Sequence, residues 1–193
     1  GRVASHGLTD TAGTRLAGLA RVPEAHAGKE PSGIRELPSP LEAFGTRVAL
    51  ARGAERSLDV QYYIWHQDVT GTLLLQELWN AAGRGVRVRL LLDDNGIAGL
   101  DPMLATLNSH ANIEVRLFNP FAGRRFKTLG YLTDFSRLNH RMHNKSFTAD
   151  ASATIVGGRN VGDEYFGATD GMAFADLDVL ALGKAARDVT TAF

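Results

Sequence analysis

Ser57-Leu58-Asp59-Val60-Gln61-Tyr62-Tyr63-Ile64-Trp65 is rich in β-branched and aromatic residues and has no Gly or Pro inside it, the composition of a strand. The segments C-terminal to it set the architecture. Thr70 to Ala82 carries Leu74, Leu78 and Ala82 at helical spacing, and Gly83 and Gly85 end that helix. Val86 to Leu92 reads as a buried strand, Asp101-Pro102 opens a helix through Leu107, and Ile113 to Phe118 is the next strand. Strand, helix, strand, helix, strand requires right-handed crossovers. The expected fold is therefore α/β, a mixed, mainly parallel β-sheet flanked by helices on both faces. Ligands bind such sheets at the carboxyl ends of strands, where Asp93-Asp94-Asn95-Gly96 falls.

Upstream, Ser39-Pro40-Leu41-Glu42 is a helix start, with Ser at the cap, Pro in the first turn and Glu three residues after the cap. Leu41, Phe44, Val48 and Ala51 form the expected buried stripe. Residues 1–38 read as an extension, with a short helix from about Thr9 to Arg21 and a surface connector from Glu24 to Pro38, so the folded domain is expected over residues 39–193. Downstream, residues 119–141 concentrate Arg124, Arg125, Lys127, Arg137 and Arg141 among Phe121, Phe126, Tyr131 and Phe135. Such a stretch suits an anionic lipid surface, a nucleic-acid backbone or a mobile loop beside a site. Two β-like segments come next, about Met142 to Thr148 and Thr154 to Gly157, then a strand from about Leu177 to Leu182 and the start of a helix.

The 193 residues are 44% apolar and carry 21 basic and 21 acidic side chains. That describes a globular domain with a real core and no global field to attract nucleic acid or an anionic membrane. An anionic substrate has to be held by a local cluster of cations. Without cysteine there are no disulfides, thiolate metal sites or cysteine nucleophiles. No apolar run approaches the roughly 20 residues of a membrane span. The Gly1-Arg2 start and the stop inside a helix suggest an excerpt of a longer protein.

The chemistry concentrates in His143-Asn144-Lys145-Ser146-Phe147-Thr148-Ala149-Asp150, followed after six residues by Gly157-Gly158-Arg159-Asn160. On an extended segment positions 143 and 145 point to one side. They would present an imidazole and an ammonium to one pocket, a nucleophile or acid beside a cation that stabilises phosphoryl oxygens. Asn160 adds hydrogen-bond donors, and Gly157 and Gly158 let the backbone come close. A His-x-Lys pair alone is ordinary strand surface; the full string at these intervals is not.

This string fills every defined position of the phospholipase D superfamily signature, H-x-K-x4-D-x6-G-[GS]-x-N. The flanks SLDVQYYIWHQDVTG, LLLDDNG, NHRMHNKSF, VGGRNVGDEYF and DLDVL resemble the first half of bacterial cardiolipin synthase-like members over about residues 38–190. The resemblance implies an α-β-α sandwich and a metal-free, cofactor-free phosphatidyl transfer or phosphodiester cleavage through a phosphohistidine. It assigns His143 as nucleophile or its acid partner, and Lys145 and Asn160 as phosphate-binding. Asp150 belongs to the motif set but has the parity of a structural residue. Asp176 is the first candidate for orienting the histidine, with Asp178 second. Gly157, Gly158, His66 and Arg141 are placed on the substrate side, His66 having an equal claim to a cap or loop role. Asp93-Asp94 looks like a metal pair in isolation, yet Asp94 fits better as a loop-orienting residue. Tyr62, Tyr63 and Trp65 are expected in the core, with one touching substrate.

His6, His26, His66, His110 and His140 have no lysine two residues on, so the chain holds one motif where the family's chemistry uses two. The expected partners are a second motif-bearing half, in cis or from a homodimer mate, a phospholipid of the phosphatidylglycerol or phosphatidylethanolamine class, and a membrane surface. The expected location is bacterial, peripheral at the inner membrane or cytoplasmic, and the isolated chain is expected to be nearly inactive. The alternatives are a homodimeric phosphodiesterase or nuclease, and a non-catalytic lipid-binding domain.

Overall fold

A computed structural model describes residues 4–8, 10–21, 31–120, 141–169, 174 and 176–193. The basic and aromatic residues expected at 121–140, with His140, and His26 upstream, lie outside them. The described elements are α1 (Arg15–Leu19), β1 (Ser32–Leu37), α2 (Pro40–Gly53), β2 (Ser57–Ile64), α3 (Val69–Gly83), β3 (Arg87–Gly96), α4 (Asp101–Asn108), β4 (Ile113–Phe118), β5 (Ser146–Ala149), β6 (Ala153–Gly157), α5 (Asp163–Phe166), β7 (Asp178–Gly183) and α6 (Lys184–Ala192).

The strands form one mixed sheet in the order β1-β7-β6-β5-β2-β3-β4. Helices cover both faces, but the expected dominance of parallel pairing does not hold. Only β2–β3 and β3–β4 are parallel, while β2–β5, β5–β6, β6–β7 and β1–β7 are antiparallel. The reason is connectivity. The helices α3 and α4 carry the chain back between β2, β3 and β4, whereas β5 and β6 are joined by a tight turn that needs no crossover. In that turn Asp150 and Ala151 take φ of 51° and 48°, the left-handed pair that matches hairpin twist. A second correction concerns Glu24 to Pro38. Its final part is β1, the edge strand paired along its length with β7, so the sheet begins before residue 39.

On one face Leu58, Val60, Tyr62, Leu90, Leu92, Phe147 and Ile155 join Leu74 and Leu78 of α3 in the apolar core. On α2 the buried positions are Ala43, Arg47, Leu50 and Ala51, with Leu41 exposed. This shifts the expected stripe, because Arg47 takes a core-facing position where Tyr62 and Asp178 satisfy it. The opposite face is polar: Asp59 pairs with Arg89 at 2.6 Å and Thr148 with Thr154 at 2.7 Å. α6 lies over this side, its end meeting Gln61, Ser146 and Val156. No helix among the described residues is long and apolar enough to cross a membrane.

Register brings one end of the sheet into focus. The carboxyl ends of β2, β3 and β4, the start of β5, the end of β6 and the start of β7 share it. α2, α3 and α4 begin there, so three helix N-termini direct their positive ends toward it.

Candidate active site

Asp93 builds the approach to the site. It is fully buried at the end of β3 and accepts from the backbone N–H groups of Asn95 (2.9 Å) and Met142 (3.1 Å), and from the Arg141 guanidinium (3.2 Å). Arg141, expected on the substrate side, is thus engaged in part in tethering the segment that leads into His143. Asp93, the other member of the acidic pair, thus holds a loop at this end of the sheet.

Beyond this tether, His143, Lys145 and Gly157 line one cavity of about 330 Å³, with Gln61 of β2 and the end of α6 opposite. His143 is exposed and its ring lies 4.6 Å from that of Tyr63. The Lys145 ammonium donates to the His143 backbone carbonyl oxygen at 2.9 Å. Burial draws the Lys145 pKa below the ordinary lysine value, and the charges of Asp176 and Asp178 pull it back up.

The two candidate orienting carboxylates have different surroundings. Asp178 is fully buried and accepts from Arg47 Nη2 at 2.9 Å, with Arg159 Nη1 at 3.5 Å and the Arg159 backbone N–H at 3.3 Å. Burial alone would lower the Arg47 pKa, but Tyr62 and Asp178 outweigh it and hold the guanidinium charged. Burial raises the Tyr62 pKa against the opposing pull of Arg47. This knot locks α2, β2 and β7 together. Asp176 instead lies against Gly158, where any Cβ would collide with its carboxylate. Gly157 faces the backbone of Leu177 and Asp178 at the same close range. Both glycines therefore serve close approach rather than an unusual φ.

Two motif residues sit apart from the cavity. Asp150 lies at the far end of β5, about 20 Å along the strand from His143, where its carboxylate accepts from the N–H groups of Glu55, Arg56 and Ser57. Its grouping with the catalytic residues is corrected: it ties the α2–β2 turn to the β5–β6 hairpin. Asn160 is not among the cavity-lining residues. Its amide oxygen accepts from the Ile64 N–H (3.1 Å) and its NH₂ donates to the Tyr165 hydroxyl (3.4 Å), which braces the tip of β2 against α5.

His66 stands at the same end of the sheet, half-exposed, with Nδ1 3.0 Å from Glu164. Sequence reasoning missed Glu164, the contact of Tyr63 with His143, and Gln61. Alternation along β2 placed Gln61 and Tyr63 on a shared face, but no local signal shows what lies opposite. His66, Asp68 and Glu164 offer ligand atoms within 4.8 Å of one another. Asp68, however, is engaged on both oxygens, Oδ1 by the Gly71 N–H at the start of α3 and Oδ2 by the Asp163 N–H.

Residues 48–187 match the protein family described as "Cardiolipin synthase, PLD-like domain". The chain is 59% identical over 161 residues to cardiolipin synthase C of Escherichia coli, and 32% identical over 153 residues to the cardiolipin synthase of Geobacillus kaustophilus. These matches cover 83% and 79% of this chain but only 34% and 29% of the relatives, so the chain spans about a third of their length. Among solved structures, phosphatidylserine synthase of Haemophilus influenzae superposes with a TM-score of 0.60 at 15% identity, over 80% of this chain and 34% of that one. NucT of Helicobacter pylori superposes with a TM-score of 0.57 at 14% identity, over 84% and 89%. At these identities the likeness is one of fold. The family match and the shared architecture together establish that the chain belongs to the cardiolipin synthase, phospholipase D-like domain family.

Proposed function

We propose that this chain is one catalytic half of a phosphatidyl-transferring enzyme that works at the bacterial membrane surface on a phospholipid of the phosphatidylglycerol or phosphatidylethanolamine class. The observation that carries the reading is the shared cavity of His143 and Lys145 at the end of the sheet where three helices begin. An imidazole nitrogen of His143 attacks phosphorus, the bond to the leaving alcohol breaks, and a phosphohistidine forms. The leaving oxygen takes a proton from an acid supplied by a second motif, in the rest of the protein or in a second copy. An acceptor hydroxyl then attacks phosphorus, the P–N bond breaks and the hydroxyl proton returns to that second group. Lys145 offsets the charge on the non-bridging oxygens, and Asp176 sets the charge state around Lys145.

The test is His143→Asn in the full-length protein with phosphatidylglycerol in mixed micelles. Loss of product by at least about a thousandfold, with lipid binding retained and no phosphoenzyme trapped by an alkaline quench, is the expected result. A wild-type rate in that variant overturns the assignment. Nicking of DNA in place of lipid turnover by the wild type would favour the nuclease reading, which a net charge of zero does not support.

A further inference from the structure

His66 and Glu164 form a pair that the phosphohistidine chemistry does not use. Nδ1 of His66 is 3.0 Å from the Glu164 carboxylate, which turns that nitrogen inward and leaves Nε2 as the ring atom open to a ligand. Among the described residues nothing hydrogen-bonds Nε2, and the side chain is 46% exposed. The pair stands at the same end of the sheet as His143, tied to it through β2. The His66 N–H donates to the Val161 carbonyl at 2.9 Å, Ile64 two residues earlier donates to Asn160, and Tyr63 three residues earlier lies against His143. Three extended residues separate His66 from Tyr63 by about 10 Å, the scale of a phosphodiester and its headgroup. Gly162 makes room for the pair. A Cβ there would stand 2.9 Å from His66 Nδ1 and 2.8 Å from Glu164 Oε2, although its φ of 170° is open to any residue.

We propose that the His66–Glu164 pair is the subsite for the acceptor alcohol, with Nε2 of His66 accepting a hydrogen bond from a headgroup hydroxyl and so holding that alcohol near the phosphorylated His143. This rests on the phosphatidyl-transfer reading above. A tethered hydroxyl competes with bulk water for the phosphohistidine, so the subsite sets the partition between transfer and hydrolysis. The group it selects is a polyol hydroxyl, because an imidazole held by Glu164 through Nδ1 presents one remaining hydrogen-bonding atom, Nε2. A divalent cation is the weaker candidate, since the third ligand, Asp68, already caps α3 and holds Asp163.

The experiment measures the ratio of cardiolipin to phosphatidic acid formed from phosphatidylglycerol micelles by the full-length protein. His66→Phe, Glu164→Ala and Gly162→Ala should each lower that ratio about threefold to tenfold, the worth of one hydrogen bond, through a higher acceptor KM. Glu164→Gln, which still accepts from Nδ1–H, should restore it. Equal loss of both products, or an unchanged ratio in all three variants, overturns the inference and leaves the pair a structural clasp. A ratio that follows chelator and added magnesium more than these substitutions also overturns it, in favour of a cation. A wild type that consumes lipid but forms only phosphatidic acid refutes the transfer reading, and the acceptor subsite with it.

Discussion

Replacing Asp178 by Asn should cost stability and spare the chemistry, while Asp176→Asn should do the reverse. Asp178 Oδ2 sits 2.9 Å from Arg47 and 3.5 Å from Arg159, and both arginine side chains are 1% exposed. At an effective dielectric of about 20 each attraction is on the order of 5–6 kcal/mol, most of it offset by desolvation. Removing one member of a buried pair nevertheless costs about 3–5 kcal/mol, because the remaining charge is stranded. Here two guanidinium groups are stranded by one substitution, and an arginine does not escape by deprotonating. The upper part of that range, about 4–5 kcal/mol, is expected against a typical total of about 5–15 kcal/mol. Urea titration followed by circular dichroism reads the loss. Lipid turnover below the variant's transition should stay within about threefold of wild type. Asp176→Asn should melt within about 1 kcal/mol of wild type but turn over lipid at least about tenfold more slowly. An Asp178→Asn protein that is as stable as wild type, or that is folded yet as slow as Asp176→Asn, refutes the division of labour between the two carboxylates.

The alkaline limb of the kcat/KM profile should fall at lower pH than an ordinary lysine gives, because the Lys145 ammonium is needed and its pKa is depressed by burial. Lys145→Arg should move the limb up in pH and Asp176→Asn, by removing a charge that raises this pKa, should move it down; a limb that ignores both changes is not Lys145. Between the folded and the higher unfolded pKa the unfolded chain binds more protons, so the contribution of Lys145 to stability improves as pH rises through that window. Asp150→Ala strands three backbone donors and should cost about 3 kcal/mol in urea titration, with kcat of the folded protein within about threefold of wild type. Gly157→Ala meets the Leu177 and Asp178 backbone, whereas Gly158→Ala meets only the Asp176 side chain; a lower melting temperature for Gly158→Ala than for Gly157→Ala would contradict that reading.

The order of strands and helices from Ser57 to Phe118 is legible in the sequence because each element is local: a β-rich run, a leucine stripe, a glycine stop. The antiparallel half is less so, since the directions of β5, β6 and β7 depend on where the chain re-enters the sheet, and the tight Asp150-Ala151 turn carries no glycine to announce it. β1 resembles a connector because SGIREL is an exposed edge strand whose partners, in β7, lie about 150 residues away. His143 and Lys145 are readable from their spacing. The roles of Asp150, Arg141 and Asp178 are not, because each depends on a partner distant in sequence: the α2–β2 turn, Asp93 and Arg47. A motif shows which residues recur together. It does not show which of them are occupied in holding the others.

That distinction bears on how a chain of zero net charge would hold the phosphodiester proposed for it. Near the site Arg47 and Arg159 are matched to Asp178 and Arg141 to Asp93, so these guanidinium groups build the frame and largely cancel as a field. Lys145 differs. Its hydrogen bond goes to a carbonyl oxygen, and among the described residues no carboxylate lies within ion-pair distance of it. Among the described residues lining the cavity, one ammonium in partly buried surroundings yields a strong but short-ranged potential. Such a potential binds a phosphoryl group already delivered to the cavity mouth and does little to draw an anionic polymer from solution. A substrate concentrated by its own insertion in a bilayer needs no long-range steering, and the placement of charge here fits that mode of delivery.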